Sequence, residues 1–174
     1  MSAAVMKAWL WGRYSGVALA VALSVAVIDQ AHKWWMILGY KIIAKGRVVV
    51  TPFLDLVFVK NTGISYSMLD MATTRGQLAL AAFALVASIG LWIAVARAAE
   101  TKLMAVSLAL ILGGAVGNGI DRVTLGGVAD FFLLHAFGYS WYVFNIADVA
   151  IVAGVVGLLY DSWQSSRNDA AKPS

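Results

Sequence analysis

The sequence predicts an all-α integral membrane protein, with four membrane-spanning helices and a small β-sheet between the first two. Three observations predict it. Of the 174 residues, 61% are hydrophobic and 13% charged, at a mean hydropathy of +0.82, whereas soluble domains run at about 45–50% apolar and about 25% charged. Four long runs carry almost no charge, and the stretch between the first two lacks helical periodicity.

A spanning helix needs roughly 20 apolar residues to cross about 30 Å of hydrocarbon. The first run starts near Tyr14, reaches Ile28 and continues through Asp29 toward Trp35. Asp29 and Lys33 stand where a signal-peptide cleavage site would need small residues, so this segment is expected to stay in the mature chain. The second run, Gly76 to Ala96, is uncharged; the third, Leu103 to Ile120, closes on Asp121 and Arg122. The fourth, about Val143 to Tyr160, holds one charge, Asp148. Spans are therefore predicted at about 14–35, 76–96, 103–120 and 143–160, with both termini on one side. Between the first two spans, Arg47 to Phe53 is β-branched and broken by Pro52, and Leu54 to Val59 is strand-like before Asn61-Thr62-Gly63. These residues predict a small sheet lying on the membrane. Trp9, Trp11, Trp34, Trp35, Trp92, Trp141 and Trp163 fall near predicted span ends, where amphipathic rings favour the headgroup level. Residues 1–163 read as one membrane-embedded domain. Residues 164–174 are polar, without apolar periodicity, and are expected to be disordered. Lys and Arg divide between the two faces, so charge counting does not orient the chain.

Several function classes drop out on composition. Cys is absent, which removes thiol nucleophiles and thiolate metal sites, and two His leave little for a zinc centre. A net charge of +4 without a basic run argues against nucleic acid. Catalysis, if any, has to run on carboxylates, hydroxyls or amines. His32, His135, Ser65 and Ser67 have no convincing partners in sequence and receive no chemistry.

Charges at membrane depth each need a reason, because one at the bilayer centre costs roughly 2.5–3.5 kcal/mol even on the lenient insertion scale. Asp29 and Lys33 share a helical face at i,i+4, which by spacing reads as an anchoring ion pair. Gly113 and Gly117 form a small-xxx-small motif, and Asn118, Asp121 and Arg122 extend the Gly114 face with groups that need polar partners. Asp130 follows the Gly126-Gly127 turn signal inside an apolar run, and Asp148 lies about one turn into the fourth span, with Asn145 on its face. Topology puts the two acids on one side, where they can meet at one depth. Together they could share a proton, one serving as base and one as acid to activate water on a peptide carbonyl. Apart, they are a helix-end residue and an ion-pair partner of Arg122 or Lys33, and spacing leaves the two readings level.

Five blocks in order resemble lipoprotein signal peptidase, the signal peptidase II family. They are Asp29-Gln30-Ala31-His32-Lys33, Asn61-Thr62-Gly63, the run from Gly113 to Arg122, Val128-Ala129-Asp130-Phe131, and Phe144-Asn145-Ile146-Ala147-Asp148. The resemblance spans nearly the whole chain. It implies a bacterial inner-membrane aspartic peptidase with Asp130 and Asp148 as catalytic dyad, supported by Asp29, Lys33, Asn61, Gly63, Gly114, Asn118, Asp121, Arg122 and Asn145. It further implies cytoplasmic termini, a periplasmic sheet at about 40–65 and a site near the periplasmic face. The substrate would be a diacylglyceryl-modified prolipoprotein, cleaved just before the lipidated Cys by a monomer with no metal or organic cofactor. Ile64-Ser65-Tyr66-Ser67 departs from the family's small residues followed by Phe, which bears on the substrate-contacting loop. A small proton-coupled carrier is the alternative from another class, and a structural assembly protein a third. The carrier is disfavoured because Asp29, Asp121, Asp130 and Asp148 cluster at one end of the spans, making a pocket and not a conduit.

Overall fold

The computed structural model describes residues 9–63 and 72–170. Four helices cross the membrane: α1 (Ser15–Trp34), α2 (Thr74–Ala98), α3 (Lys102–Thr124) and α4 (Ile146–Ala170). Each is long and apolar enough to span. A helix lies over each predicted span; the ends of the first three move by at most four residues, while α4 starts three residues later than predicted and runs ten past 160. α1 continues through a π-helical turn, Trp35–Gly39, which carries its apolar run to 25 residues and turns Met36 inward. Thr73 and Thr101 start α2 and α3 as N-caps, their side chains accepting from Gly76 N at 3.1 Å and Met104 N at 2.9 Å.

α3 is the central helix. Half of its apolar window is buried, against 11% for α2. Its small residues allow this, since a Cβ at Gly113 would stand 2.6 Å from Ala22 O, and one at Gly114 would stand 2.7 Å from Ile151 Cγ1. α1 and α4 thus close on opposite flanks of α3 at backbone distance. At one end of the bundle, Thr101 Oγ1 donates to Asp161 Oδ1 at 2.6 Å and Trp92 Nε1 to Leu10 O at 3.1 Å. The polar end of the bundle is the opposite one.

There the chain builds a four-stranded antiparallel sheet, β1 (Val48–Thr51), β2 (Leu54–Asn61), β3 (Val128–Ala136) and β4 (Tyr139–Phe144), in that spatial order. The sheet expected between the first two spans is present, and the segment between α3 and α4 doubles it with a second hairpin. Periodicity hid that hairpin. β3 is buried on both faces from Val128 to Phe131, while β4 is exposed on both from Tyr139 to Tyr142, so neither alternates. Trp141 accordingly lies on a strand and not at a span end. Met36, Ile42, Ala129 and Phe131 make the small core joining the sheet to the end of α1. Fully buried Asp55 on β2 pairs with Arg47, and its Oδ1 stands 3.1 Å from His135 Nε2, tying three strands together at the far end of the sheet. Burial pushes the Asp55 carboxyl up, but the hydrogen bond from Arg47 and the His135 ring beside it hold it below the usual range.

Two further expectations change. The disorder predicted from Gln164 does not hold for 164–170, where α4 continues with i,i+4 support: Gln164 Nε2 donates to Tyr160 Oη at 3.1 Å and Ser166 Oγ to Ser162 O at 3.0 Å. Ser65, Ser67 and the Ile64–Ser67 block lie outside the described residues. From the α1–α3 contact we predict that Gly113→Ala lowers stability by about 1–3 kcal/mol through overpacking against backbone, read as a lower melting midpoint in detergent with the site residues unchanged.

Candidate active site

Asp130 and Asp148 reach the site from different elements. The Gly126-Gly127 turn, both residues at positive φ, reverses the chain after α3 and starts β3, where Asp130 pairs in register with Val59 of β2. Asp148 lies in the first turn of α4. Asn145 joins them. Its Oδ1 accepts from Asp148 N at 2.9 Å while Asp148 Oδ2 accepts from Asn145 N at 3.2 Å, a reciprocal cap on the start of α4. Its Nδ2 donates to Asp130 Oδ1 at 2.7 Å and to Asn118 Oδ1 at 3.1 Å. Asn118 Nδ2 completes the circuit, donating to Asp148 Oδ1 at 2.9 Å. Asn61 Nδ2 lies 3.3 Å from Asp130 Oδ2, and Gly63 N donates to Asn61 Oδ1 at 3.2 Å, holding the end of β2 in a turn.

Beneath this amide layer sits an ion triad. The fully buried Lys33 ammonium stands 2.8 Å from Asp29 Oδ2, 2.7 Å from Asp121 Oδ2 and 3.0 Å from Asn118 Oδ1. The expected i,i+4 pair therefore gains a second carboxylate from α3. A Cβ at Gly117 would lie 2.6 Å from Asp29 Oδ2, so glycine there makes room for the carboxylate. The triad also reaches the backbone beside each acid. Ala147 N donates to Asp29 Oδ1 at 3.0 Å, and Ala129 N to Asp121 Oδ2 at 3.1 Å. Ala147 and Ala129 directly precede Asp148 and Asp130.

Of the residues singled out in the sequence, Asp29, Lys33, Asn61, Asn118, Asp121, Asn145, Asp130 and Asp148 form one hydrogen-bonded network. Gly63 and Gly114 act through backbone geometry. Arg122 lies beside the network, its Nη1 donating to Asn118 O at 3.1 Å, and its Nε has no hydrogen-bond acceptor among the described residues. Among the described residues no ion pair links Asp148 to Arg122 or Lys33, and Asn145 hydrogen-bonds both acids. Sequence reasoning assigned Gln30 no role. Its Nε2 donates to Asp121 Oδ1 at 2.7 Å and Gly117 O at 3.1 Å, and its place beside Asp29 was the available signal. His32 packs against Phe131 and Phe132, while His135 belongs to the Asp55 cluster.

Burial pushes the Asp130 carboxyl up to about 7 and the Asp148 charge adds to the rise, against the opposing pull of Asn145, Asn61 and Lys33. The Tyr142 hydroxyl, on β4, is raised by burial and by the same two acids. The arrangement offers one carboxyl suited to carry a proton near neutrality, beside a second with both oxygens accepting N–H donors. Such an arrangement can supply an acid and a base for water activation.

Residues 21–164 match the family described as signal peptidase (SPase) II. The chain belongs to the signal peptidase II family. Lipoprotein signal peptidase of Rhodopseudomonas palustris (strain ATCC BAA-98 / CGA009) is 53% identical over 140 residues, covering 78% of this chain and 85% of that relative. The protein of that name from Nitrobacter hamburgensis is 49% identical over 162 residues, covering 91% and 96%. A bacterial membrane enzyme solved by the in meso method superposes with a TM-score of 0.72 at 28% identity, covering 91% of this chain and 94% of that one. The signal peptidase is thus a multi-pass membrane enzyme, and the carrier and assembly readings are set aside.

Replacing Lys33 tests the triad. Lys33→Met strands two buried carboxylates, and we expect a stability loss of about 3–5 kcal/mol in a detergent melt. Turnover should fall even at temperatures where the variant is folded, because both backbone tethers run to Asp29 and Asp121.

Proposed function

We propose that Asp130 and Asp148 are the catalytic pair of this signal peptidase, and that it cleaves diacylglyceryl-modified prolipoproteins just before the lipidated Cys. The observation carrying the proposal is that one residue, Asn145, hydrogen-bonds both carboxyl groups. Asp148 serves as base: with Asn118 Nδ2 and Asn145 N donating to its oxygens, it takes a proton from water as the water oxygen attacks the scissile carbonyl carbon. Asp130 serves as acid and gives its proton to the carbonyl oxygen. On collapse of the gem-diol, Asp148 returns its proton to the departing amine and Asp130 recovers one from the hydroxyl, so one water is consumed per bond broken. The Arg122 guanidinium, whose Nη1 donates to Asn118 O, belongs in this reading to the polar shell that shapes the site.

The names of the relatives support the lipoprotein substrate, and so does the physics of the site. Diacyl chains remain in lipid while the peptide crosses the interface, so binding fixes the scissile bond at one depth. We further propose that the protein lies in the bacterial inner membrane as a monomer, with cytoplasmic termini and the site at the periplasmic face.

Two measurements test this reading. With a diacylglyceryl lipobox peptide in lipid, Asp130→Asn and Asp148→Asn should each retain the wild-type melt and lose at least about 10²–10⁴-fold in turnover. Near-normal turnover by either folded variant would remove that residue from the pair. The same peptide without its lipid should be cut far less efficiently, through a raised KM. The second measurement is kcat against pH from about 5 to about 9. Asp130 must hold its proton before transfer, and with its carboxyl raised to about 7 the competent form fills below that pH. Turnover should therefore decline as pH rises through about 7; a profile flat to about 9 contradicts the assignment of Asp130 as acid.

A further inference from the structure

We propose that the β3–β4 hairpin and the outer edge of β4 are seated in the headgroup layer of the bilayer, with Phe137 at the tip as an anchor. The proposal stands on the membrane spans and the sheet and is independent of the catalytic assignment.

The first observation is the tip. Phe137 and Gly138 form a two-residue turn with φ of 51° and 81°, a geometry that favours Asn or Gly at its first position. A bulky apolar residue there carries backbone strain, and this one is 94% exposed. In water both features are unfavourable; against lipid the second becomes favourable and offsets the first.

The second is the edge. Natural edge strands in water carry charges that block pairing with other chains. From Phe131 to Ala147 the sequence has no Lys, Arg, Asp or Glu. β4 exposes Tyr139 and Trp141 at 72% and 68% on one side and Tyr142 on the other. The opposite edge of the sheet differs: Lys41 and Lys45 lead into it, and the Arg47 side chain is 55% exposed. One sheet thus has a basic edge and an aromatic edge. Tyr and Trp are the residues that favour the headgroup level, with a ring in the apolar side and a polar atom in the wet one.

The third is continuity. β4 passes into α4 through Asn145 alone, so the aromatic edge begins where a spanning helix ends. The β1–β2 tip joins the same surface, because His135 N donates to Phe53 O at 3.0 Å and Phe53 is itself exposed. The Asp55 cluster locks the two tips side by side. The depth is bounded as well: the N–H and C=O groups of the β4 edge, which pair with no strand among the described residues, need water, which the headgroup layer supplies and the hydrocarbon does not.

The chain has no Cys, so single introduced cysteines give unique labels. Phe137→Cys, Trp141→Cys and, at the basic edge, Lys45→Cys would each carry a fluorophore in full-length protein. The proteins would be reconstituted in phosphatidylcholine/phosphatidylglycerol vesicles, with turnover on the lipidated peptide confirming the fold. We expect headgroup-nitroxide lipid to quench the labels at 137 and 141 several-fold more than the label at 45, and aqueous iodide to quench them several-fold less. Equal iodide access at all three positions would overturn the proposal. Protection at 137 and 141 that arises only when substrate peptide is added would also overturn it, assigning the edge to peptide pairing.

Discussion

An ammonium and two carboxylates cannot be taken out of water at a cost below several kcal/mol per ion unless each finds nearly ideal partners. Lys33, Asp29 and Asp121 meet that demand with two ion pairs, an amide oxygen from Asn118, an amide donor from Gln30 and two backbone N–H groups. The rest of the polar end follows from how those demands are met. Because the N–H donors belong to Ala129 and Ala147, satisfying the triad fixes the backbone next to Asp130 and next to Asp148. One buried cation therefore sets the separation of two acids that come from a strand and a helix. Charge at membrane depth is expensive; here it is retained where it defines geometry.

The small residues of α3 are the other half of the same design. A spanning helix gains little from apolar contact with another helix, since lipid is equally apolar, so close approach has to come from missing side chains. Gly113 lets α1 in, Gly114 lets α4 in, and Gly117 leaves the volume that the Asp29 carboxylate fills. Only with both neighbours at backbone distance can Lys33 of α1 touch Asp121 of α3 while Asn118 of α3 touches Asp148 of α4.

The sequence made the spans legible because a long uncharged run finds few stable settings outside lipid, and it made the Asp29–Lys33 pair legible because i,i+4 contact is a local property. It made the first hairpin legible through Pro52 and the β-branched residues around it. The β3–β4 hairpin escaped because strand recognition depends on alternation, which vanishes when one strand is covered on both faces and the next on neither. The second partner of Lys33 escaped for a different reason: Asp121 lies on another helix, and nothing local announces a pairing over that separation. The juxtaposition of Asp130 and Asp148 belongs to the same class. Topology placed both at one end and spacing left two readings level; the contacts of Asn145, which touch both acids, are long-range and have no local signal. Gln164 to Ala170 was misread in the opposite direction, since a polar stretch without apolar period can remain helical when it extends a long helix already nucleated in lipid.

The two roles of the sheet follow from its asymmetry. At its near end, β2 and β3 carry Asn61 and Asp130 to the start of α4, the site proposed for the reaction. At its far end, the aromatic tips and the charge-free edge would hold the sheet at a constant height above the hydrocarbon. A substrate anchored by lipid chains presents its scissile bond at a depth set by the bilayer, so an enzyme for it must register its own acids against the same reference. Four spanning helices fix that height only loosely, because helices tilt and bilayers thin. A sheet resting on the headgroups, joined by continuous hydrogen bonding to the strand that carries Asp130, would tie the position of that residue to the interface itself.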